Sequence, residues 1–183
     1  VGMKRTLVVG ASGGIGQALV NSLRALGTEV IGLSRSVDGL DLTDEASIIR
    51  VLSNIDGQFD TIIVPTGALI IDGHTPEKSL RALNPAALAA QFALNAVGPA
   101  LVLKHALRLI PKDRTARFAA LSARVGSIGE NALGGWYSYR AAKAALNQLI
   151  HCGAIEVARS HPQVVVALLH PGTVATGFGS AYT

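Results

Sequence analysis

Apolar residues in this chain gather into short unbroken runs separated by longer stretches with helical spacing. The runs are "TLVV" at 6–9, "EVIGLSR" at 29–35, "FDTIIV" at 59–64, "RFAAL" at 117–121 and "VVVALL" at 164–169. Continuous rather than alternating apolar strands predict a parallel sheet covered on both faces. "QALVNSLRALG" after the first run reads as a helix closed by Gly27. Longer helical patterns occupy about 85–110 and 135–160. The expectation is a single α/β domain over residues 1–183, a doubly wound parallel sheet with helices on both faces.

Two places break the pattern. "GLDL" at 39–42 could be a further strand, but it follows Arg35 too closely for a crossover helix, which takes about a dozen residues. That edge strand is expected to be reduced. The chain stops at "HPGTVATGFGSAYT" with no strand pattern after it, so a last strand is expected to be missing from this chain.

Composition narrows the class. Hydrophobic residues make up 49% of the chain and aromatics only 4%, which suits helices packed closely on a sheet rather than disorder. The net charge of +4 is spread without any basic run, so no nucleic-acid partner is expected. The single cysteine, Cys152, excludes an internal disulfide and reads as a small buried apolar residue. The histidines at 74, 105, 151, 161 and 170 have no ligand partners at metal-site spacing, so no metal is expected. No uninterrupted apolar span suits a bilayer and no signal peptide is read, which leaves no membrane partner and the cytoplasm as compartment.

Chemistry enters with "VVGASGGIGQAL", where Gly10, Gly14 and Gly16 stand between a strand and a helix. Such a turn lets the backbone approach a pyrophosphate and offers it a helix N-terminus. The unit is therefore expected to be an NAD(P)-binding domain of Rossmann type. After the second strand stands Arg35, where an acid would hold a ribose 2′-hydroxyl and an arginine can pair with a 2′-phosphate. NADP(H) is the expected cofactor, with NAD(H) as the alternative. A second motif is "WYSYRAAKAAL" at 136–146, in which Tyr139 and Lys143 share one helix face a turn apart. Tyr137 has only Ala141 at the equivalent place.

Together these motifs resemble the short-chain dehydrogenase/reductase family, of the classical type, from about Lys4 to Thr176. "GASGGIG" matches the cofactor turn, Asp41 and Leu42 the adenine-pocket pair, and "NAVG" at 95–98 the central-helix motif. "YRAAK" at 139–143 matches Y-x-x-x-K, and "PGTVAT" at 171–176 the turn against the nicotinamide. "LSARVGSIGENALGGWYSYRAAKAALN" further resembles the C-factor and sniffer-like carbonyl reductase branch.

The resemblance implies a small-molecule oxidoreductase that reduces a carbonyl or oxidises an alcohol. It implies that Tyr139 is the acid, that Lys143 lowers the phenol's pKa and holds the nicotinamide ribose, and that Asn95 anchors a relay water. It places cofactor contacts at Ser12, Gly13 and Ile15 of the turn, at Thr66 and Gly67, and at Pro171, Gly172, Val174 and Thr176. It also implies a homodimer or homotetramer paired through the two long, alanine-rich helices. The family's N-N-A-G is "VPTG" at 64–67 here, so asparagine-based support of that strand is expected to be lost. The usual serine lies three residues before a glycine, and counting back from Gly126 lands on Ala123. Ser122 is the first candidate, Ser127 the second, and no serine the third. The competing reading is an NADP-binding regulatory or signalling protein with little turnover. Sugar-nucleotide epimerases share Y-x-x-x-K but are longer and differ in glycine spacing.

Overall fold

The computed structural model describes residues 4–172 and Val174. Five strands, β1 (Arg5–Val9), β2 (Glu29–Leu33), β3 (Thr61–Val64), β4 (Ala116–Leu121) and β5 (Val164–Leu169), pair in parallel in the order β2-β1-β3-β4-β5. This is the Rossmann order 3-2-1-4-5-6 with its third strand omitted. Residues 39–42, offered by their sequence as a reduced edge strand, form no strand. After β2 comes a single helical turn, α2 (Arg35–Asp38), and then α3 (Glu45–Ser53). Ser34 caps the turn and Gly39 ends it with φ of 63°. The crossover is thus made by α3, a helix the strand pattern had obscured.

Helices cover both faces. On one, Val20 of α1 (Gly14–Ala25) packs against Val8 and Val30. On the other, Leu7 and Val9 join the main core with α3, α5 (Gly98–Ala106) and α6 (Tyr137–Ser160). Helix α4 (Pro85–Phe92) runs through a π segment, Ala93–Val97, into α5. The continuous helical stretch Pro85–Leu109 is long and apolar enough to span a membrane by length and composition alone, although Gln91 and Asn95 interrupt its apolar run. Here it packs along α6 and α3 as a core helix.

The chain reverses its winding between β1 and β3, and in open α/β sheets ligands bind at the carboxyl ends of the strands at such a point. That crevice receives the glycine turn, the β3 exit and the start of α6.

Candidate active site

At the end of β1 the chain turns at Gly10 with φ of 108°. A Cβ on Gly10 would lie 2.5 Å from Thr66 Cγ2, and one on Gly16 would lie 2.0 Å from the Gly10 carbonyl oxygen. The start of α1 is therefore packed onto the turn itself. Its N-cap is Gly13, which has no side chain to cover the first amides. Thr66 Oγ1 beside the turn is buried without a hydrogen-bond partner. A close glycine turn, an uncovered helix N-terminus and an orphaned hydroxyl fit a dinucleotide's pyrophosphate and ribose.

Arg35 is the exposed first residue of α2 and makes no ion pair among the described residues. The nearest acid in sequence, Asp38, folds back to accept the Ser34 amide at 2.7 Å. Asp41 accepts from the Thr43 hydroxyl and amide, which hold its carboxyl below the usual range, and Arg35 adds a smaller pull. Leu42 is buried, and a Cβ on Gly98 would meet its carbonyl at 2.7 Å. The adenine-pocket pair and the central-helix motif thus pack together.

Tyr139, Lys143 and Asn95 lie together, each no more than 5% exposed. Lys143 Nζ lies 5.8 Å from the Tyr139 ring centre and donates to the Leu121 carbonyl at 2.9 Å. A Cβ on Gly67 would stand 2.8 Å from Asn95 Oδ1 and 3.4 Å from Lys143 Nζ, so only glycine admits this approach. Burial pushes the Tyr139 phenol up to about 12 and the Lys143 ammonium down to about 8. The lowering of the phenol expected from the lysine is not seen; desolvation alone sets its direction. At neutral pH the phenol keeps its proton and most Lys143 remains charged.

Asn95 spends its side chain on the β3 exit. Its Oδ1 accepts from Ala68 N at 3.1 Å, and its Nδ2 donates to Ala68 O at 2.8 Å and to Gln91 Oε1 at 2.6 Å. Gln91 in turn donates to Leu69 O at 2.9 Å. Support expected to be lost with the "VPTG" sequence is supplied from the helix instead. Gln91 belongs to no motif in the sequence, although it stands four residues before Asn95 on the same helix.

Ser122 donates its hydroxyl to Asn147 Oδ1 at 2.6 Å. Asn147 lies about two turns beyond Tyr139 on α6, so this bond ties the end of β4 to that helix. Ala123 occupies the position three before Gly126, and Ser127 follows the 3-10 turn Arg124–Gly126. Trp136 meets the Tyr139 ring edge-on with centroids 6.3 Å apart, which makes it a wall of the site. Pro171, Gly172 and Val174 follow β5 outside any helix or strand, and Thr176 lies outside the described residues. Cys152, read as buried, is exposed. A hollow of about 430 Å³ bordered by Gln58, Arg108, Lys112 and His161 lies at the opposite, amino ends of the strands and is separate from this site.

The family model for short chain dehydrogenases matches residues 4–183. The chain is 30% identical to a 1-hydroxy-2-glutathionyl-2-methyl-3-butene dehydrogenase of Rhodococcus sp. (strain AD45), over 95% of this chain and 79% of that protein. It is 37% identical over 93 residues to C-signal of Myxococcus xanthus, covering 50% of this chain and 54% of that one. A short-chain dehydrogenase/reductase from Burkholderia multivorans, solved with bound NADP, superposes with a TM-score of 0.85 at 26% identity, covering 97% of this chain and 82% of that one.

Proposed function

Since this chain belongs to the short chain dehydrogenase family, an oxidoreductase family, we propose that it is an NADPH-dependent reductase of an aldehyde, ketone or quinone, or the reverse alcohol dehydrogenase. The observation that carries this reading is the buried Tyr139–Lys143 pair at the β1/β3 crevice, next to Gly67 and Asn95. NADPH, when bound, supplies the hydride. Gly10, Ser12, Gly13, Gly14, Ile15 and Gly16 would hold its pyrophosphate, Thr66 and Gly67 its adenine-side ribose, and Arg35 its 2′-phosphate. Asp41 and Leu42 would border the adenine, and Pro171, Gly172, Val174 and Thr176 the nicotinamide.

Tyr139 delivers the phenol proton to the carbonyl oxygen as negative charge develops there. Its high pKa suits the acid role, because the proton is present throughout the neutral range. Lys143 holds the nicotinamide ribose and stabilises the phenolate left after transfer. Asn95 positions the Ala68 end of the β3 exit beside Lys143. Ser122 is assigned to the attachment of β4 to α6, and Tyr139 with Lys143 suffice for the proton step.

We assign the working form to a homodimer or homotetramer. Of the small residues on the two long helices, Ala87 and Ala142 are buried within the protomer, whereas Ala86 and Ala89 are exposed. Exposed Val97, Leu149 and Ile155 add apolar surface on the same helices.

The second reading, an NADP-binding regulatory protein, is favoured by Ala123 at the usual serine position and by the similarity to C-signal. One experiment separates the two: NADPH oxidation followed against a panel of aldehydes, ketones and quinones. Turnover lost in Tyr139→Phe supports the reductase. Tight NADPH binding with no turnover of any carbonyl supports the regulator.

A further inference from the structure

The proton step uses no acid from the β3–α4 connection, yet that connection buries one. Glu77 is 5% exposed and lies 61 residues before its partner Ser138. Its Oε2 accepts from the Ser138 amide at 3.1 Å and its Oε1 accepts from the Ser138 hydroxyl. Its main-chain oxygen accepts from the Trp136 amide at 2.5 Å. Three donors from the first turn of α6 and its cap therefore converge on one residue. Burial alone would raise the Glu77 carboxyl, but the Ser138 hydroxyl and the nearby amides together hold it below its ordinary value.

The local sequence does not supply a cap of its own. Trp136 is the N-cap, and its indole has no acceptor to offer the first amides. Gly134, Gly135 and Trp136 have φ of 65°, 67° and 52°, three successive left-handed residues leading into the helix. Tryptophan adopts that region only where surrounding contacts hold it. Glu77 is therefore a long-range cap, a carboxylate at the positive end of a helix dipole. The residue after Ser138 is Tyr139.

We propose that Glu77 is the positioning residue of this active site: it fixes the first turn of α6, and with it the Tyr139 phenol, while latching the β3–α4 connection to the loop before α6 as one wall of the substrate mouth. The role rests on the reductase reading for its catalytic consequence and on geometry alone for the latch. The same connection is held at Ala68 by Asn95 and at Leu69 by Gln91. Glu77 is its third fastening, and it bonds the residue that precedes Tyr139.

The test uses the full chain and Glu77→Gln, which keeps the size and loses the charge, with Ser138→Ala as a milder companion. Trp136 is the chain's one tryptophan, so its emission reports on the latch without any turnover. Glu77→Gln is expected to lower kcat roughly 10- to 100-fold, the scale of a small misplacement of a reacting group. NADPH affinity is expected to stay within about 2-fold, because the glycine turn is untouched. Hydrogen exchange at the Ser138 and Trp136 amides should quicken and the Trp136 emission should shift, while Glu77→Asp recovers part of both. Unchanged kcat, unchanged amide exchange, or an equal loss of kcat and NADPH affinity would overturn the proposal. If Glu77→Gln does not fold, Ser138→Ala is judged by the same criteria with a smaller expected loss. A parent protein that reduces no carbonyl rejects the reductase reading, and the amide exchange then decides the latch by itself.

Discussion

Lys143 Nζ stands 5.8 Å from the centre of the Tyr139 ring, both side chains buried on one face of α6. Burial sets their proton affinities in opposite directions, to about 8 for the lysine and about 12 for the tyrosine. The folded lysine therefore binds its proton less tightly than the unfolded one. Between about pH 8 and 10 the unfolded chain carries the extra proton, so stability rises with pH across that window. Lys143→Met should remove a rise on the order of 2 kcal/mol. Denaturant unfolding at pH 7.5 and 9.5 without added cofactor, compared between parent and variant, checks the sign. Above pH 10 the raised Tyr139 value reverses the trend.

Arg35 is exposed at the mouth of the proposed cofactor site, and Asp38 is committed to the Ser34 amide. NADPH should bind roughly 10-fold more tightly than NADH, with the margin shrinking in salt because the pair is solvated. Fluorescence titration of both cofactors with parent and Arg35→Asp measures it. Arg35→Asp should erase the preference, and equal affinities in the parent would remove the argument.

Gly16→Ala should abolish NADPH binding and cost about 2 kcal/mol or more, since the new methyl would meet the Gly10 carbonyl, which cannot swing aside. A methyl added at Gly129 would have nothing within 4 Å, and Gly129 has no positive φ, so Gly129→Ala is a matched control expected to be near neutral. Thermal melts with NADPH titration distinguish the two.

Ser122→Ala should lose about 1 kcal/mol of stability with the Asn147 bond and change kcat no more than about 3-fold. Ser127→Ala should be similarly mild. A loss of about 10²–10³ in kcat for either, measured at saturating NADPH, would restore that serine as an oxyanion donor.

The parts of the molecule legible in the sequence are those set by local pattern. The strands were visible because a parallel sheet covered on both faces makes their apolar runs continuous, and the glycine turn because backbone approach restricts its residues. What was missed depends on phase or distance. Cys152 shares a helical pattern with Leu146, Ile150 and Val157, yet it is two residues from Ile150 and so faces away from that buried stripe. Residues 39–42 alternate like a strand, but the capped turn Arg35–Asp38 leaves them as the lead into α3. Glu77 carried no local signal, because its partners lie 61 residues away. The pair Lys143 and Asn147 was spaced to share a face, but that Asn147 would take the Ser122 hydroxyl depended on where β4 ends.

In the proposed reaction Tyr139 gives the proton while other residues hold the cofactor. Tyr139→Phe tests it most directly, through NADPH titration and single-turnover reduction of whichever carbonyl the parent accepts. NADPH affinity should stay within about 3-fold of the parent while reduction slows at least about 10²-fold, the usual reach of general acid catalysis. A variant that binds NADPH equally well and retains most of the parent's reduction rate would contradict it.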